Sequence, residues 1–382
     1  MLALGSELAA RGHEVTYETW ARWQTHVEAA GMRFVAAPEF PVFPTRERPM
    51  SPYEAVAAAV AVTRPAVAQA APDIVVHDVL TLAPAISGEL EGVAVATLIP
   101  HLYPVGEPGL PPFGLGARRP RTRVGATLWR GFDPLVDRGL QRGRRELDDT
   151  RARVGLPPTG RVFGGLSDAL CLVATFPQLE YPRRWPAHVQ VVGPLLWEPG
   201  GEDVTGPSGD APLVLIATST AQDPENRMLR AALEGLASAP VRVLAVWNGR
   251  PFTSPVKIPA NARVVSWLSY ERAMADCALV VCHGGSGTLG RALASGCPVL
   301  VVPHAGDMPE NAARLRWAGA GRTLPWPLLS PVTLRHAVRR ALGDPALAAR
   351  AREFGAWAAE HDGAARSADL VEALVARRAG AG

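Results

Sequence analysis

Lysine is almost missing from this chain: Lys257 stands alone among 382 residues, and arginine carries nearly all the positive charge. With abundant Ala, Gly and Pro, that bias is expected of a GC-rich genome and concerns origin rather than mechanism. Cysteine is scarce too. Cys171, Cys277, Cys282 and Cys297 show no CxxC spacing and sit in apolar runs, which predicts buried, reduced thiols of a cytoplasmic protein. No stretch approaches the ~18 uninterrupted apolar residues of a membrane span. The start lacks the basic opening and apolar centre of a signal peptide, and Glu7 interrupts it. A strong excess of charge is also lacking. The net charge is +3, nine histidines are scattered, and basic and aromatic residues are nowhere interleaved, so a nucleic-acid surface is poorly supported. The one basic cluster, Arg118, Arg119, Arg121 and Arg123, reads as a solvated loop, with contact to an acidic ligand or membrane surface as the other reading.

What is present is an alternation. Short β-branched runs take turns with Ala/Leu-rich amphipathic stretches, the pattern of parallel α/β units. In the first half, strands are predicted at His13–Glu18, Arg33–Ala37, Asp73–His77, Val93–Ile99, Ala169–Ala174 and Val189–Val192. Helices are predicted at Leu2–Arg11, Trp20–Ala30, Tyr53–Ala71, Ala83–Leu90 and Arg123–Arg153. Between Pro100 and Pro120 lies a Pro/Gly-rich segment without periodicity, and a loop that long inside a domain is usually functional. Pro and Gly crowd again over Gly193–Asp210, which reads as an interdomain linker. Strands then restart at Pro212–Ala217, Val241–Trp247, Ala262–Ser266, Ala278–Cys282 and Pro298–Pro303, with a helix at Glu225–Ala237 and an almost wholly helical tail from Leu328 to Ala379. The architecture expected is two doubly wound α/β domains: residues 1–193, a linker over 194–210, a second domain over 211–362, and a last helix, 363–382, packing back toward the first domain.

The segment Cys282-His283-Gly284-Gly285-Ser286-Gly287-Thr288 carries the strongest local signal. It follows a predicted strand and opens the helical run Leu289–Ser295, so its backbone N–H groups and helix N-terminus suit an anion, most often phosphate. On the glycines alone, a plain βα turn explains it equally well. Context decides. Trp267 follows the strand Ala262–Ser266, and Asp307 follows Pro298–Pro303; in open α/β sheets ligands bind at such carboxyl ends. An aromatic face for a base, donors for a pyrophosphate and a carboxylate for hydroxyls together describe a nucleotide-sugar site.

The stretch from Val264 to Leu324 resembles the donor-binding region of family 1 glycosyltransferases, particularly bacterial enzymes that decorate natural products. The family pattern is matched at Trp267, His283–Thr288, Val299–Val302, Pro303, Gly306–Asp307 and Asn311–Ala312, and Thr218-Ser219-Thr220 matches its hydroxyl-rich loop near the phosphates. The resemblance implies the GT-B fold, two Rossmann-like domains with the nucleotide-sugar site in the cleft between them. It implies that Trp267, with Leu268 beside it, holds the pyrimidine, and that His283 with the backbone of Gly285, Ser286, Gly287 and Thr288 holds the pyrophosphate. Asp307 takes sugar hydroxyls, and transfer proceeds by a single inverting displacement with no metal or other cofactor. The donor expected is a TDP- or UDP-sugar. Met308 stands where many relatives carry Gln, which suggests a deoxysugar, and Arg291 stands where plant members carry a ribose-binding Glu, which puts ribose recognition in doubt.

Family members open with a strand and a Gly-His-x-x-Pro-like loop whose histidine deprotonates the acceptor. In this sequence Leu2–Gly5 through Gly12-His13-Glu14-Val15 matches the helix and strand that follow that loop, so the expectation is a start upstream of Met1; a protein that has lost catalysis is the other reading. Asp78 matches the carboxylate that orients the histidine, while His13 reads as structural. His77 is a poor substitute base, because strand alternation turns it away from Asp78. The acceptor is expected on the first domain, against the Pro100–Arg123 loop with His101, Tyr103 and Phe113, which suits an apolar or aromatic small molecule. Two alternatives stand beside sugar transfer: a non-catalytic nucleotide-sugar-binding partner protein, and a nucleotide-sugar epimerase. The epimerase would need acidic and cationic groups around the sugar that do not gather near Asp307.

Overall fold

Every strand pair among the described residues is parallel, as expected when apolar runs alternate with crossover helices. The computed structural model describes residues 1–40, 50–200, 204–219, 223, 225–248 and 255–380. In the first half the order is α1 (Leu2–Ala10), β1 (Thr16–Thr19), α2 (Gln24–Ala29), β2 (Arg33–Ala36), α3 (Pro52–Ala70), β3 (Ile74–Asp78), α4 (Leu82–Leu90), β4 (Ala94–Ile99), α5 (Arg123–Arg130), α6 (Asp133–Arg153), β5 (Cys171–Val173) and β6 (Val189–Val191). The second half runs β7 (Leu213–Ala217), α7 (Arg227–Leu236), β8 (Arg242–Val246), β9 (Ala262–Val265), α8 (Tyr270–Ala275), β10 (Leu279–Cys282), α9 (Ser286–Ala294), β11 (Val299–Val301), α10 (Met308–Ala318) and β12 (Gly321–Thr323). Helices α11 (Pro331–Leu342), α12 (Pro345–Glu360) and α13 (Gly363–Ala379) close the chain.

The second half forms a six-stranded sheet in the order β12-β11-β10-β7-β8-β9. From β7 the chain winds outward through β8 and β9, then crosses back to β10 on the other side of β7. The strand order therefore reverses between β7 and β10, the crevice where ligands of doubly wound sheets bind. Residues of β7, β10 and β11 are buried throughout, which sandwiches the sheet between two helical layers. The first half is built differently: β1 and β2 make a two-stranded sheet, and β3-β4-β5-β6 a separate four-stranded one. Met32 and Tyr17 pack so close to Gly5 of α1 that an added Cβ would lie 2.6 Å from the Met32 sulfur.

The two halves share one core. Leu102, Phe176 and Leu179 from the first half belong to the same apolar cluster as Leu215, Leu289, Val301 and Phe354 from the second. Helix α13 returns to the first half, where Ala368, Val371 and Leu374 pack with Leu4 of α1 and Leu98 and Leu172 of the sheet. His13 pairs with Glu372 of α13 at 2.9 Å, and Arg11 bonds Asp369 and Glu372. No helix among the described residues is long and apolar enough to cross a membrane.

The structure departs from the sequence pattern in a few places. The single helix expected over Arg123–Arg153 is two helices, parted at Gly131–Phe132. Pro134 stands in the first turn of α6, and its ring would clash with the Arg130 carbonyl in an unbroken helix. The stretch expected as one helix from Trp20 opens with a 3-10 turn, Ala21–Trp23, before α2. Helix α9 begins at Ser286, earlier than Leu289, while α8 and β12 were too short for periodicity to reveal. The four cysteines are unpaired. Burial pushes the Cys171 thiol up to about 11 and those of Cys277 and Cys282 to about 12, so they are protonated at neutral pH.

Candidate functional site

The site grows out of the register at the reversal point. Cys282, the last residue of β10, pairs with Ala217 of β7 on one side and Val301 of β11 on the other. His283, Thr218 and Val302 therefore stand side by side where the three strands end. Gly284 then turns the chain with φ +89°, and a Cβ there would lie 2.6 Å from Val301 Cγ1, so both conformation and space demand glycine. Gly285 sits at the N-cap of α9. Its side chain cannot cap the helix, and no acidic residue lies in the first turn. Nothing stands within 4 Å of where a Cβ would be on Gly285 or Gly287. The α9 terminus thus has no capping side chain and leaves room beside Gly285 and Gly287, an arrangement suited to an anion.

Asp307, just before α10, is fixed from two sides. Its Oδ2 accepts from Ser286 Oγ and from Asn311 Nδ2, each at 3.0 Å. Asn311 also donates to the Gly284 carbonyl at 2.8 Å and lies 3.2 Å from Ser286 Oγ. One buried amide thus ties the glycine turn, the α9 terminus and the carboxylate together. The sequence pattern matched Asn311 but gave it no role, because its work shows only when two loops meet. Met308 is half-buried beside Asp307 at the first position of α10.

Trp267 follows β9 and is 44% exposed, its indole N–H held by the Gly200 carbonyl of the linker at 3.1 Å. Glu198 in the same linker accepts from Ser269 Oγ at 2.5 Å and from the Tyr270 and Glu271 N–H groups, pinning the linker to the start of α8. A partly exposed aromatic ring is therefore held on a fixed mount. Leu268, by contrast, turns its side chain into the core, so only its main chain is left for a ligand. Thr218 is also buried, its hydroxyl donating to the Val246 carbonyl at 2.7 Å while Asn248 donates to the Thr218 carbonyl. It supports the wall of the cleft. Ser219 beside it is half-buried, Thr288 is half-buried in the first turn of α9, and Thr220 lies outside the described residues. His283 is only 2% exposed. Its ring faces Asp223, with Nε2 3.5 Å from the carboxylate, and packs on Trp326 at 5.7 Å between centroids.

The residues expected on the acceptor side differ in burial. His101 and Phe113 face each other at 6.1 Å, and Phe113 leans on the core shared by both halves. Tyr103 is buried instead, packed on Trp185 at 5.4 Å and beneath Arg183, with its N–H donating to Glu180 at 2.7 Å. Tyr103 thus has a structural place in the wall of the cavity that it lines together with Phe113. The cavity among Tyr103, Phe113, Glu180, Arg183 and Arg314 measures about 20 Å³, room for about one water. The loop reaches further than the sequence implied: Gly116 (φ +67°) lies so close to Pro309 of α10 that a Cβ would come within 2.5 Å of it. Glu180 accepts from Arg314 of α10 at 3.2 Å, and Arg314 stacks on Tyr181 at 3.6 Å and bonds Glu310. The loop and the Asp307 helix are thereby joined at two points.

Asp78 ends β3, and its Oδ1 accepts from the Leu80 N–H at 2.8 Å. His77 points to the other face, as strand alternation requires. Its ring bonds Thr97 at 2.8 Å and the Asp78 and Thr81 carbonyls, and burial lowers its pKa. Among the described residues no histidine bonds the Asp78 side chain, and no cluster of three His, Cys, Asp or Glu side chains suits a metal.

Two Rossmann-like halves, with an uncapped helix terminus at the strand-order reversal and a tethered carboxylate beside it, define a GT-B nucleotide-sugar protein. Residues 233–376 match the family model described as the erythromycin biosynthesis protein CIII-like C-terminal domain. The chain is 30% identical to O-mycaminosyltylonolide 6-deoxyallosyltransferase of Streptomyces fradiae, covering 97% of this chain and 93% of that one. It is 29% identical to 4'-demethylrebeccamycin synthase of Lentzea aerocolonigenes, over 98% of this chain and 96% of that one. The crystal structure of CalG4, the calicheamicin glycosyltransferase, superposes with a TM-score of 0.77 at 25% identity, covering 98% of this chain and 94% of that chain. The chain belongs to the family 1 glycosyltransferases of the bacterial natural-product type. It is an enzyme that passes sugar from a nucleotide-sugar donor to a small-molecule acceptor.

Proposed function

We propose that the protein transfers a 6-deoxysugar from a TDP- or UDP-sugar to a hydroxyl of an apolar or aromatic natural-product acceptor, with inversion at the anomeric carbon. The observation that supports this reading is the carboxylate tethered beside the α9 terminus: Asp307 accepts from Ser286 at the start of α9 and from Asn311, while Trp267, half exposed, follows β9 of the same sheet. The pyrimidine stacks on Trp267. The pyrophosphate lies on the N–H groups of Gly285–Thr288 with His283 behind them, and Asp307 accepts from sugar hydroxyls.

Negative charge develops on the departing diphosphate, and preorganised N–H dipoles at a helix N-terminus stabilise it there without a metal ion. The deoxysugar preference rests on Met308, whose thioether offers no hydrogen bond like that of an amide, and on the 6-deoxyallosyl transfer named for the Streptomyces fradiae relative. Asp78 is assigned to orient the base that deprotonates the acceptor. Four free thiols fit a cytoplasmic location.

The test compares donors on one acceptor panel of apolar aglycones. Turnover with TDP-6-deoxysugars above that with UDP-glucose, with an inverted product anomer by NMR, is the expected result. Preference for UDP-glucose would overturn the deoxysugar reading.

A further inference from the structure

Asp223 took no part in the sequence argument, yet it is the carboxylate that meets the His283 ring. It is 4% exposed and sits between β7 and α7 with φ +66°, a left-handed conformation that non-glycine residues adopt only where surroundings hold them. Two backbone donors do the holding. Oδ1 accepts from Arg227 N–H at 2.7 Å and Oδ2 from Met228 N–H at 3.0 Å, both in the first turn of α7. Oδ2 then lies 3.5 Å from His283 Nε2. Burial alone would raise the Asp223 pKa, but His283 and these two N–H groups outweigh it and hold the carboxyl below its ordinary range.

His283 is the counterpart. Both its ring nitrogens are buried, and neither completes a hydrogen bond among the described residues. The ring is clamped by Trp326, which is itself flanked by His304 at 4.3 Å and by the Arg227 guanidinium at 5.3 Å. A buried imidazole with no completed hydrogen bond is costly to keep, so it marks a place where a partner is meant to arrive. Nε2 is directed at Asp223. Nδ1, also buried, is the ring nitrogen left over, in the residue that directly precedes the glycine turn into α9.

We propose that Asp223 is a positioning residue of the donor site: it holds Nε2–H of His283, so that the ring enters the complex as an imidazolium with Nδ1–H left for a diphosphate oxygen. This rests on the donor reading above. A neutral ring donating to Asp223 from Nε2 would turn a lone pair on Nδ1 toward the diphosphate and repel it; only the doubly protonated ring serves both partners. The buried carboxylate and the imidazolium then enter as a neutral pair, and the proton added to the ring offsets part of the negative charge developing on the leaving diphosphate.

The experiment is a double-mutant cycle on the full chain, with thymidine diphosphate as the probe. Asp223→Asn keeps an oxygen for the Arg227 N–H, and it is expected to weaken diphosphate binding by about tenfold. In a His283→Gln background the same substitution is expected to change binding less than twofold. Nitrogen-15 NMR of histidine-labelled protein, with His283 assigned by its loss in His283→Gln, is expected to show two protonated ring nitrogens in the complex. That signature disappears in Asp223→Asn. Equal losses in both backgrounds would mean that Asp223 only caps α7, and would overturn the proposal. So would a single protonated nitrogen in the wild-type complex. If the wild-type chain binds neither thymidine nor uridine diphosphate, it is the donor reading that fails.

Discussion

The two halves of the molecule make the same kind of sheet with very different completeness. In the second half six strands run unbroken, and the strands flanking the site are buried along their whole length. In the first half the strands divide into a pair and a set of four, and β1 and β2 hold no buried residue. The donor side is thus written in local geometry: a strand ends, a glycine turn follows, a helix starts. The acceptor side depends on a loop that draws its support from the opposite half, through Gly116 on Pro309 and Glu180 on Arg314. A self-contained site can be read in sequence order. A borrowed one cannot.

That contrast is open to direct attack. The largest effect is expected from Arg314→Leu, which leaves Glu180 buried and unpaired across the interface. Loss of about 3–5 kcal/mol is expected in urea unfolding. Removing the whole buried cluster, Glu180→Leu and Glu310→Leu with Arg314→Leu, should recover part of it, because Arg314 pairs with both carboxylates and the desolvation cost goes only when all three charges go. If the single variant is as stable as wild type, the halves are not joined as described. Gly284→Ala comes next. It strains φ and drives a Cβ into Val301, at a cost of about 1–3 kcal/mol, and diphosphate binding measured by calorimetry should be lost with it.

Smaller effects separate the two sides of the cleft. Asp307→Ala is expected to lower kcat/KM for the donor by about 1.5–3 kcal/mol, the worth of hydrogen bonds to a charged group. The acceptor KM should hold, and an equal rise there would show that Asp307 serves both substrates. Trp267→Ala should weaken the nucleotide by about 1 kcal/mol, the low end for base–aromatic stacking, and titration with the free diphosphate reads it directly. On diphosphate affinity the smallest effect is that of Asp78→Asn. Assigned to the base, it should lower kcat while leaving diphosphate affinity unchanged, and a changed affinity would place Asp78 on the donor side instead.

How much of this was legible varies by residue. Gly284, Gly285 and Asp307 could be singled out in the sequence because their places depend on strand ends and turns, which periodicity and spacing reveal. Thr218 and Leu268 shared the right segments, but side-chain direction sent Leu268 into the core and tied the Thr218 hydroxyl to a neighbouring strand. Tyr103 was chosen as an aromatic in a loop without periodicity, and nothing local could show that Glu180 and Trp185 would bury it. The break at Gly131–Phe132 was visible in Pro134 and was missed because the composition on either side is equally helical.

The sequence by itself determined the class of fold, the strand that ends at the glycine turn, and the anion-seeking helix that follows. Each follows from local backbone rules and from the burial pattern of a few consecutive residues. Only the tertiary structure decided which carboxylate meets His283, how Asn311 joins two loops, and where the acceptor loop rests. Those pairs, Asp223 with His283 and Glu180 with Arg314, are far apart in the chain. Nothing in their own neighbourhoods specifies a partner, which is set only when sheet order and helix packing bring the two segments together.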